Sequence, residues 1–137
     1  MQHIESPATG DSAIEREIIE KGLTAPRVKP ADIQANIASE HYFTALEGCI
    51  GGEMAEGQMI GEIRQWKELG LLTFCVLVLQ NGFTVTGESA CASPENFDAE
   101  LGRKIARENA INKVWPLMGY QLREQLYQAA KPAHVPV

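Results

Sequence analysis

The sequence has no apolar run that approaches the roughly 20 residues needed to span a bilayer. Its start carries no basic segment leading into an apolar core, so we expect no signal peptide. Basic residues are also few, because 12 Lys and Arg stand against 18 Asp and Glu, for a formal net charge of −6. A nucleic-acid backbone calls for a basic surface, so we expect neither a nucleic acid nor a membrane as partner.

Cysteine and catalytic signatures are equally scarce. Cys49, Cys75 and Cys91 are odd in number and lack metal-ligand spacing, which favours reduced thiols in a cytosol. The sequence contains no glycine-rich phosphate loop, no nucleophile elbow and no paired-histidine metal motif. We therefore expect a protein that is not an enzyme and that uses no metal and no cofactor.

The most informative stretch, residues 71–113, predicts a β-hairpin followed at once by a helix. The two strands are expected at about 71–79 and 83–91, on either side of Asn81 and Gly82. This residue pair favours a two-residue type I′ turn, which needs positive φ at both positions.

The same turn predicts the strand register and the two faces of the hairpin. The expected pairs are Gln80 with Phe83, Val78 with Val85, Val76 with Gly87, and Phe74 with Ser89. The first strand is apolar on both faces. Such a strand is either an ordinary central strand covered by helices, or it shares one face with a second copy across a two-fold axis.

The N-terminal part predicts helices separated by a linker. Residues 1–26 form an extension in which Ser12 and Glu15 resemble a capping box and Gly22 a helix stop. A second helix is expected to open at Pro30.

Three segments before the hairpin are less regular. Residues 41–44 are aromatic and β-branched, which favours a strand after a break. The glycine-rich insert 48–61 predicts a loop. Residues 63–69 are compatible with either a helical turn or a strand.

After the hairpin, Ser93 and Asp98 are both candidate helix caps. Pro116 should end or kink the helix, with a restart near Tyr120 and a disordered tail at 129–137. The broad apolar side of this helix comprises Leu101, Ile105, Ile111, Trp115, Met118, Leu122 and Leu126. A second, smaller apolar surface comprises Ala106, Ala110, Val114 and Leu117. A helix that is apolar on two sides is expected to contact two things, such as its own sheet and another subunit.

Together these patterns predict an α+β fold with a single domain at 27–128. An antiparallel sheet built on the hairpin is flanked by an N-terminal helix and a long C-terminal helix kinked near Pro116.

One group of polar residues is a candidate anion site. Arg103 and Arg107 are four residues apart, so both project from one helix face and can clamp a phosphate. Asn96 and Asp98 can read ribose hydroxyls or a base edge, and Phe83 can stack on a base. In the structural alternative, the arginines pair with Glu100, Glu108 or Glu124 on a solvated surface and Asp98 is only a cap. The candidate ligand-binding residues are Phe83, Asn96, Asp98, Arg103, Arg107 and Lys113.

The run GFTVTGESACASPENFDAELGRKIARENAINKVWPLMGYQL resembles the phage gene-product-forty-nine family. It shares that family's succession of Ser-Ala-Cys, Pro, Asn-Phe-Asp and Trp-Gly-Tyr elements. The resemblance extends from about Arg27 through Leu126 and includes RVKPADIQANIASEHYFTA. Similar proteins include the first type of Thoeris anti-defence proteins.

The resemblance implies a phage-made sponge in the cytoplasm of the infected bacterial host. Such proteins bind a cyclic ADP-ribose isomer without cleaving it, some relatives hold cyclic di- or trinucleotides, and they form homodimers and hexamers that are trimers of dimers. It implies ligand pockets at a dimer interface, with Phe83, the Asn96–Asp98 pair and some of the cationic helix residues as contacts. The extension 1–26 and the insert 48–61 depart from the smaller sponges. The alternative is a phage accessory protein that binds a host protein through its oligomer surface.

Overall fold

The computed structural model describes residues 10–55 and 66–132. Its helices are α1 (Gly10–Glu20), α2 (Pro30–Ala35), α3 (Ala45–Ala55) and α4 (Ala99–Ala130), with short 3₁₀ helices at Lys67–Leu71 and Pro94–Asn96. Its strands are β1 (Ile37–Thr44), β2 (Leu72–Leu79) and β3 (Thr84–Ala90). They form one antiparallel sheet in the order β1-β2-β3, which confirms the α+β prediction.

Two compact units divide the chain. The sheet unit is Asn36–Val114, and the terminal unit combines Met1–Ala35 with Trp115–Val137. All three cysteines are free thiols. Within the described ranges, none of the helices combines the length and the apolar character that a membrane crossing requires.

The hairpin is confirmed, but its predicted type I′ turn is wrong. The Gly82 amide donates to the Leu79 carbonyl at 2.9 Å, and the Leu79 amide donates to the Phe83 carbonyl at 2.8 Å. The loop therefore has three residues. Gly82 has a φ of +88°, whereas no non-glycine residue in the described ranges has a positive φ. This is the pattern of a tight turn followed by one left-handed glycine.

The longer loop moves the register by one residue. The observed pairs are Val78 with Thr84, Leu77 with Val85, Cys75 with Gly87, and Thr73 with Ser89. The predicted pairs of Gln80 with Phe83, Val78 with Val85, Val76 with Gly87, and Phe74 with Ser89 are therefore wrong. Because side chains alternate along a strand, this slip turns β3 over. Val85 consequently joins Leu77 in the core instead of lying on the opposite face.

One face of β2 is covered by α4 and the other is half-exposed. Thr73, Cys75, Leu77 and Leu79 are buried, whereas their neighbours in between are partly accessible. The covered face meets α4 where Gly87 lies against the backbone of Ala106 and Ala110. The strand is thus apolar on both faces, as expected, but the described sheet unit buries only one of them fully.

The buried side of α4 is the smaller apolar surface and not the broad one. Ala106, Ala110 and Val114 are fully buried. By contrast, Leu101 is 53% and Ile105 is 41% exposed, so these members of the broad apolar side lie outside the core. The alanines are buried because only small side chains let the helix approach the sheet this closely.

The N-terminal predictions are confirmed in part. The predicted capping box is wrong, since Ser12 lies inside α1 and both Glu15 carboxylate oxygens accept hydrogen bonds from Arg27. Gly22, with a φ of +68°, follows the end of α1 as expected. The start of α2 is also confirmed, because the Asp32 carboxylate accepts a hydrogen bond from the Lys29 amide just before Pro30.

The segment between β1 and β2 is more helical than predicted. The strand expected at 41–44 is present and begins earlier, at Ile37. The described part of the predicted loop 48–61 belongs to α3, and its remainder lies outside the described residues. Thr44 and Glu47 form a reciprocal capping box that starts α3. Of segment 63–69, Trp66 precedes a 3₁₀ helix, Lys67–Leu71, to which residues 67–69 belong.

The long C-terminal helix is continuous where an end was expected. Asp98 caps α4 by accepting a hydrogen bond from the Leu101 amide at 3.0 Å, whereas Ser93 precedes only a short 3₁₀ turn and makes no side-chain cap bond. The helix continues through Pro116, so the predicted end and the restart near Tyr120 are wrong. A bend at Pro116 stays a prediction. The last two residues of α4 fall in the predicted tail 129–137.

Candidate functional site

A cavity of about 260 Å³ lies at the end of the sheet that is opposite the hairpin turn. We call it the Arg103 cavity. It is formed by the end of β1, the first turn of α3, the start of β2 and the first turns of α4. Its lining residues are Tyr42, Phe43, Thr44, Glu47, Gly70, Thr73, Phe97, Ala99 and Arg103.

The strand register and the helix caps bring these residues together. Thr44 pairs with Thr73 across the β1–β2 ladder. The capping box that begins at Thr44 places Glu47 at the mouth of α3. The cap at Asp98 starts α4 so that Arg103 follows just over one helical turn later. The N-terminal end of a helix carries a partial positive charge, which adds to that of Arg103.

A polar network lies beside this cavity. Glu40 accepts hydrogen bonds from Arg107 through Nη2 at 2.7 Å and Nε at 2.8 Å. The other Glu40 oxygen accepts a hydrogen bond from the Tyr42 hydroxyl at 2.8 Å. The Glu40 and Arg107 side chains are about one third exposed. Through Tyr42, this network holds one wall of the cavity in place.

The network shifts the pKa values of its members. The hydrogen bond from Arg107 lowers the pKa of Glu40 below its ordinary value of 4.5. Burial, followed by the hydrogen bond to Glu40, raises the pKa of Tyr42 well above its usual range. Burial also raises the pKa of the Cys75 thiol. The network is therefore stable with Glu40 ionised and Tyr42 neutral.

We expect Arg107→Ala to lower the free energy of unfolding by about 1 to 2 kcal/mol, because a half-buried carboxylate would lose its charged partner. Since the folded-state pKa of Glu40 is lowered, its contribution is present above the ordinary value of 4.5 and is lost as the pH falls below it. Urea unfolding of wild type and Arg107→Ala across this pH range measures both effects.

Two variants act as controls for this prediction. Arg103→Ala removes the same charge one turn away, where the side chain is exposed, and should leave stability nearly unchanged. Glu40→Gln combined with Arg107→Ala should cost less than the sum of the single substitutions, because the two side chains interact directly. If the stability loss of the double variant equalled the sum of the two single losses, a direct ion pair between Glu40 and Arg107 would be contradicted.

The structure brings together only part of the predicted site. Arg103 lines the cavity, and Asn96 and Asp98 flank the lining residue Phe97. Arg107 lies one turn further along α4 and is paired with Glu40, a partner that is 67 residues away in sequence. The structural alternative of an arginine ion pair is thus present, although with a residue other than those expected.

Phe83 and Lys113 lie outside the cavity. Phe83 is 54% exposed beside the hairpin turn. The length of β2 places that turn about 20 Å from the cavity, at the other end of the sheet. Lys113 is exposed on α4, about 15 Å along the helix axis from Arg103. A single copy of the chain therefore does not gather all six predicted residues around one ligand.

Of the nine lining residues, sequence reasoning predicted Arg103 and missed the other eight, among them Tyr42, Thr44, Glu47 and Phe97. The Thr-x-x-Glu spacing was a usable signal, since it predicts a helix start next to the strand. The position of Phe97 between the two predicted polar residues was another. Tyr42 gave no comparable signal, because its neighbours across the sheet are distant in sequence.

A second cavity, of about 200 Å³, lies in the terminal unit. Its walls are mainly apolar, and its lining residues are Asp11, Ile14, Glu15, Ile18, Val28, Pro30 and Trp115. The Trp115 Nε1 atom is buried and has no hydrogen-bond partner among the residues that the structure describes. No cation is among the described residues that line this cavity, so it is a poorer candidate for an anionic ligand.

Comparison with known families gives one match. Residues 28–126, well over half of the chain, match the model of the Phage protein (N4 Gp49/phage Sf6 gene 66) family. No curated protein and no solved structure matches the chain.

Proposed function

Because the chain belongs to the N4 Gp49/phage Sf6 gene 66 family of phage proteins, we propose that it sequesters a cyclic nucleotide immune signal in the cytoplasm of the infected bacterial host. The ligand is a cyclic ADP-ribose isomer or a cyclic di- or trinucleotide. The protein acts by tight binding and does not cleave the ligand.

The observation that carries this proposal is the presence of Arg103 in a cavity with aromatic and hydroxyl-bearing walls. A guanidinium group offers several donors in a planar arrangement that suits phosphate oxygens. Phe97 and Tyr42 supply rings against which a base can pack. Asn96 and Asp98 are next to Phe97 in sequence, and we propose that they read the hydroxyl groups of the sugar.

The proposal includes a homodimer. Phe83 lies at the far end of the sheet from Arg103, so both contact the same ligand only if a second copy brings its own hairpin to the cavity. The partly accessible face of β2, with Phe74 and Val76, is a suitable surface for such pairing. Phe43 extends this face across β1, and its ring stacks on Phe74 with centroids 5.5 Å apart. A hexamer would then be a trimer of these dimers.

The test of this proposal is the effect of Arg103→Ala on ligand binding. We expect the variant to bind any cyclic nucleotide that stabilises wild type about tenfold to a hundredfold more weakly, which is the loss expected for hydrogen bonds to a charged group. The measurement is the ligand-dependent shift of the thermal unfolding midpoint, followed by calorimetric titration.

Arg123→Ala is the matched control for this test. It removes the same side chain from the same helix at an exposed position outside the cavity. Wild-type affinity in Arg123→Ala and reduced affinity in Arg103→Ala would support the site. Equal affinity in both variants would place the ligand elsewhere.

A second function is supported by the exposed apolar side chains of α4. Leu117 and Tyr120, three residues apart in the terminal unit, are 40% and 74% exposed. Large exposed apolar side chains are typical of protein interaction surfaces when they cluster. If the protein retained a host protein in pull-down experiments and bound no cyclic nucleotide, it would be a phage accessory protein that acts on that partner.

A further inference from the structure

We propose that the Thr73 hydroxyl, in the buried part of the Arg103 cavity, binds the base of the nucleotide ligand. It would select ligands whose base presents an amino group or a ring nitrogen at its edge. This inference rests on the proposed function of the same cavity and deepens it. It assigns a role in ligand recognition to a residue that the sequence patterns did not single out.

Thr73 is the buried member of the cavity lining. Its exposed fraction is 3%, whereas the other eight lining residues are half-buried or exposed. Among the residues that the structure describes, it is also the one polar residue that is buried. It lies on the central strand β2 and pairs with Thr44 on one side and Ser89 on the other. Because a β-branched side chain has few rotamers, the hydroxyl is held in position before a ligand binds.

The Thr73 hydroxyl has no hydrogen-bond partner among the described residues. A buried polar group in this state lowers the stability of the free protein. In the described part of the chain, the unpartnered side-chain polar atom that is fully enclosed is Trp115 Nε1. The Thr73 oxygen therefore keeps an accessible surface, and a ligand in the cavity that Thr73 lines can reach it.

Gly102 leaves space beside this hydroxyl. A Cβ atom at Gly102 would lie 3.2 Å from Thr73 Oγ1 and would crowd the oxygen from the side of α4. Glycine inside a helix is less stabilising than alanine. The helix thus gives up stability at the position that faces the hydroxyl, directly before Arg103. Such a loss is typical of positions where function limits the choice of residue.

The different depths of Arg103 and Thr73 orient the ligand. Arg103 is exposed, so the phosphate groups that it binds stay close to solvent and remain hydrated. The neutral base can enter the buried part of the cavity, which a phosphate could enter only at a large cost in desolvation. A hydroxyl offers one donor and two acceptor positions. Adenine presents an amino donor beside a ring-nitrogen acceptor, so Thr73 can bind either group.

The test replaces Thr73 by valine, which removes the hydroxyl and keeps the shape of the side chain. The probes are cyclic ADP-ribose, cyclic di-AMP and cyclic tri-AMP, which share adenine. We expect Thr73→Val to bind each probe that wild type binds about threefold to tenfold more weakly, which is the loss expected for one neutral hydrogen bond. Thr73→Ser keeps the hydroxyl and should stay within about twofold of wild type. Calorimetric titration measures these affinities.

The thermal unfolding midpoint of the free protein separates this role from a structural one. Because the hydroxyl is unpaired without ligand, we expect the midpoint of Thr73→Val to be unchanged or raised. Thr24→Val is the matched control. It makes the same change at an exposed position of the terminal unit, outside the cavity, and should keep wild-type affinity.

The outcomes distinguish the two proposals. If wild type binds none of the three probes, the proposed function fails and the role of Thr73 fails with it. If Arg103→Ala weakens binding and Thr73→Val does not, the cavity is the site and only the role of Thr73 is overturned. A free Thr73→Val protein that unfolds well below the wild-type midpoint would also overturn the inference, because the hydroxyl would then stabilise the fold.

Discussion

Replacing Gly87 by alanine is expected to destabilise the protein by about 3 kcal/mol or more. A Cβ atom at this position would overlap the Ala106 carbonyl oxygen and the Ala110 amide nitrogen of α4. Both are backbone atoms, so the clash cannot be relieved by a side-chain rotation, and helix and sheet would have to separate. A loss of this size is a large share of the total stability of a small protein. Urea denaturation followed by circular dichroism measures it.

Gly119→Ala is the matched control for this prediction. Gly119 lies in α4, and a Cβ atom there would have no heavy atom within 4 Å. Alanine is a better helix former than glycine, so this variant should be more stable than wild type by about 0.5 to 1 kcal/mol. If Gly87→Ala were as stable as wild type, the close packing of α4 on β3 would be wrong.

Leu77→Ala is expected to cost about 2 to 5 kcal/mol, because it leaves a cavity in the centre of the sheet unit. Leu77 is fully buried on β2, on the face that α4 covers, and it lies opposite Val85. Thermal and urea unfolding of the variant measure the loss.

Leu101→Ala is the control for the position of the core. The sequence pattern placed Leu101 on the broad apolar side of α4, but its side chain is 53% exposed. We therefore expect a change in stability of less than about 0.5 kcal/mol. If Leu101→Ala proved as destabilising as Leu77→Ala, the broad apolar side of α4 would be buried in the folded protein, for example against a second copy.

The hairpin shows how far local sequence rules reach. The apolar, strand-like segments on either side of the Asn81-Gly82 pair were sufficient to predict two antiparallel strands. They were not sufficient for the register, because this pair also fits a three-residue loop in which Gly82 alone has positive φ. The difference of one residue decided whether Val85 faced the core.

The sequence-based predictions for the helices were incomplete where tertiary packing, and not the local apolar pattern, decides the structure. The apolar pattern did not indicate which side of α4 packs on the sheet. Gly87 creates a position that only Ala106 and Ala110 can approach, and Leu101 and Ile105 stay exposed. Glycine content suggested a loop at 48–61, but the Thr44 capping box starts a helix there.

The sequence indicated candidate residue types for the site better than it indicated which residues lie close together in space. Residue type and spacing singled out Arg103, Asn96 and Asp98, which the structure places in or next to one cavity. The pairing of Arg107 with Glu40 depends on a contact between residues distant in sequence, which no local pattern records.

The central claim, that the protein binds a cyclic nucleotide and releases it unchanged, is tested most directly by one measurement. Purified protein is incubated with a panel of cyclic ADP-ribose isomers and cyclic di- and trinucleotides while the thermal unfolding midpoint is followed, and each stabilised sample is then denatured and its supernatant separated by chromatography. We predict a raised midpoint with at least one ligand, because a ligand that binds only the folded state stabilises it, and recovery of that ligand intact. A midpoint that no member of the panel shifts, or a ligand recovered in altered form, would contradict the account.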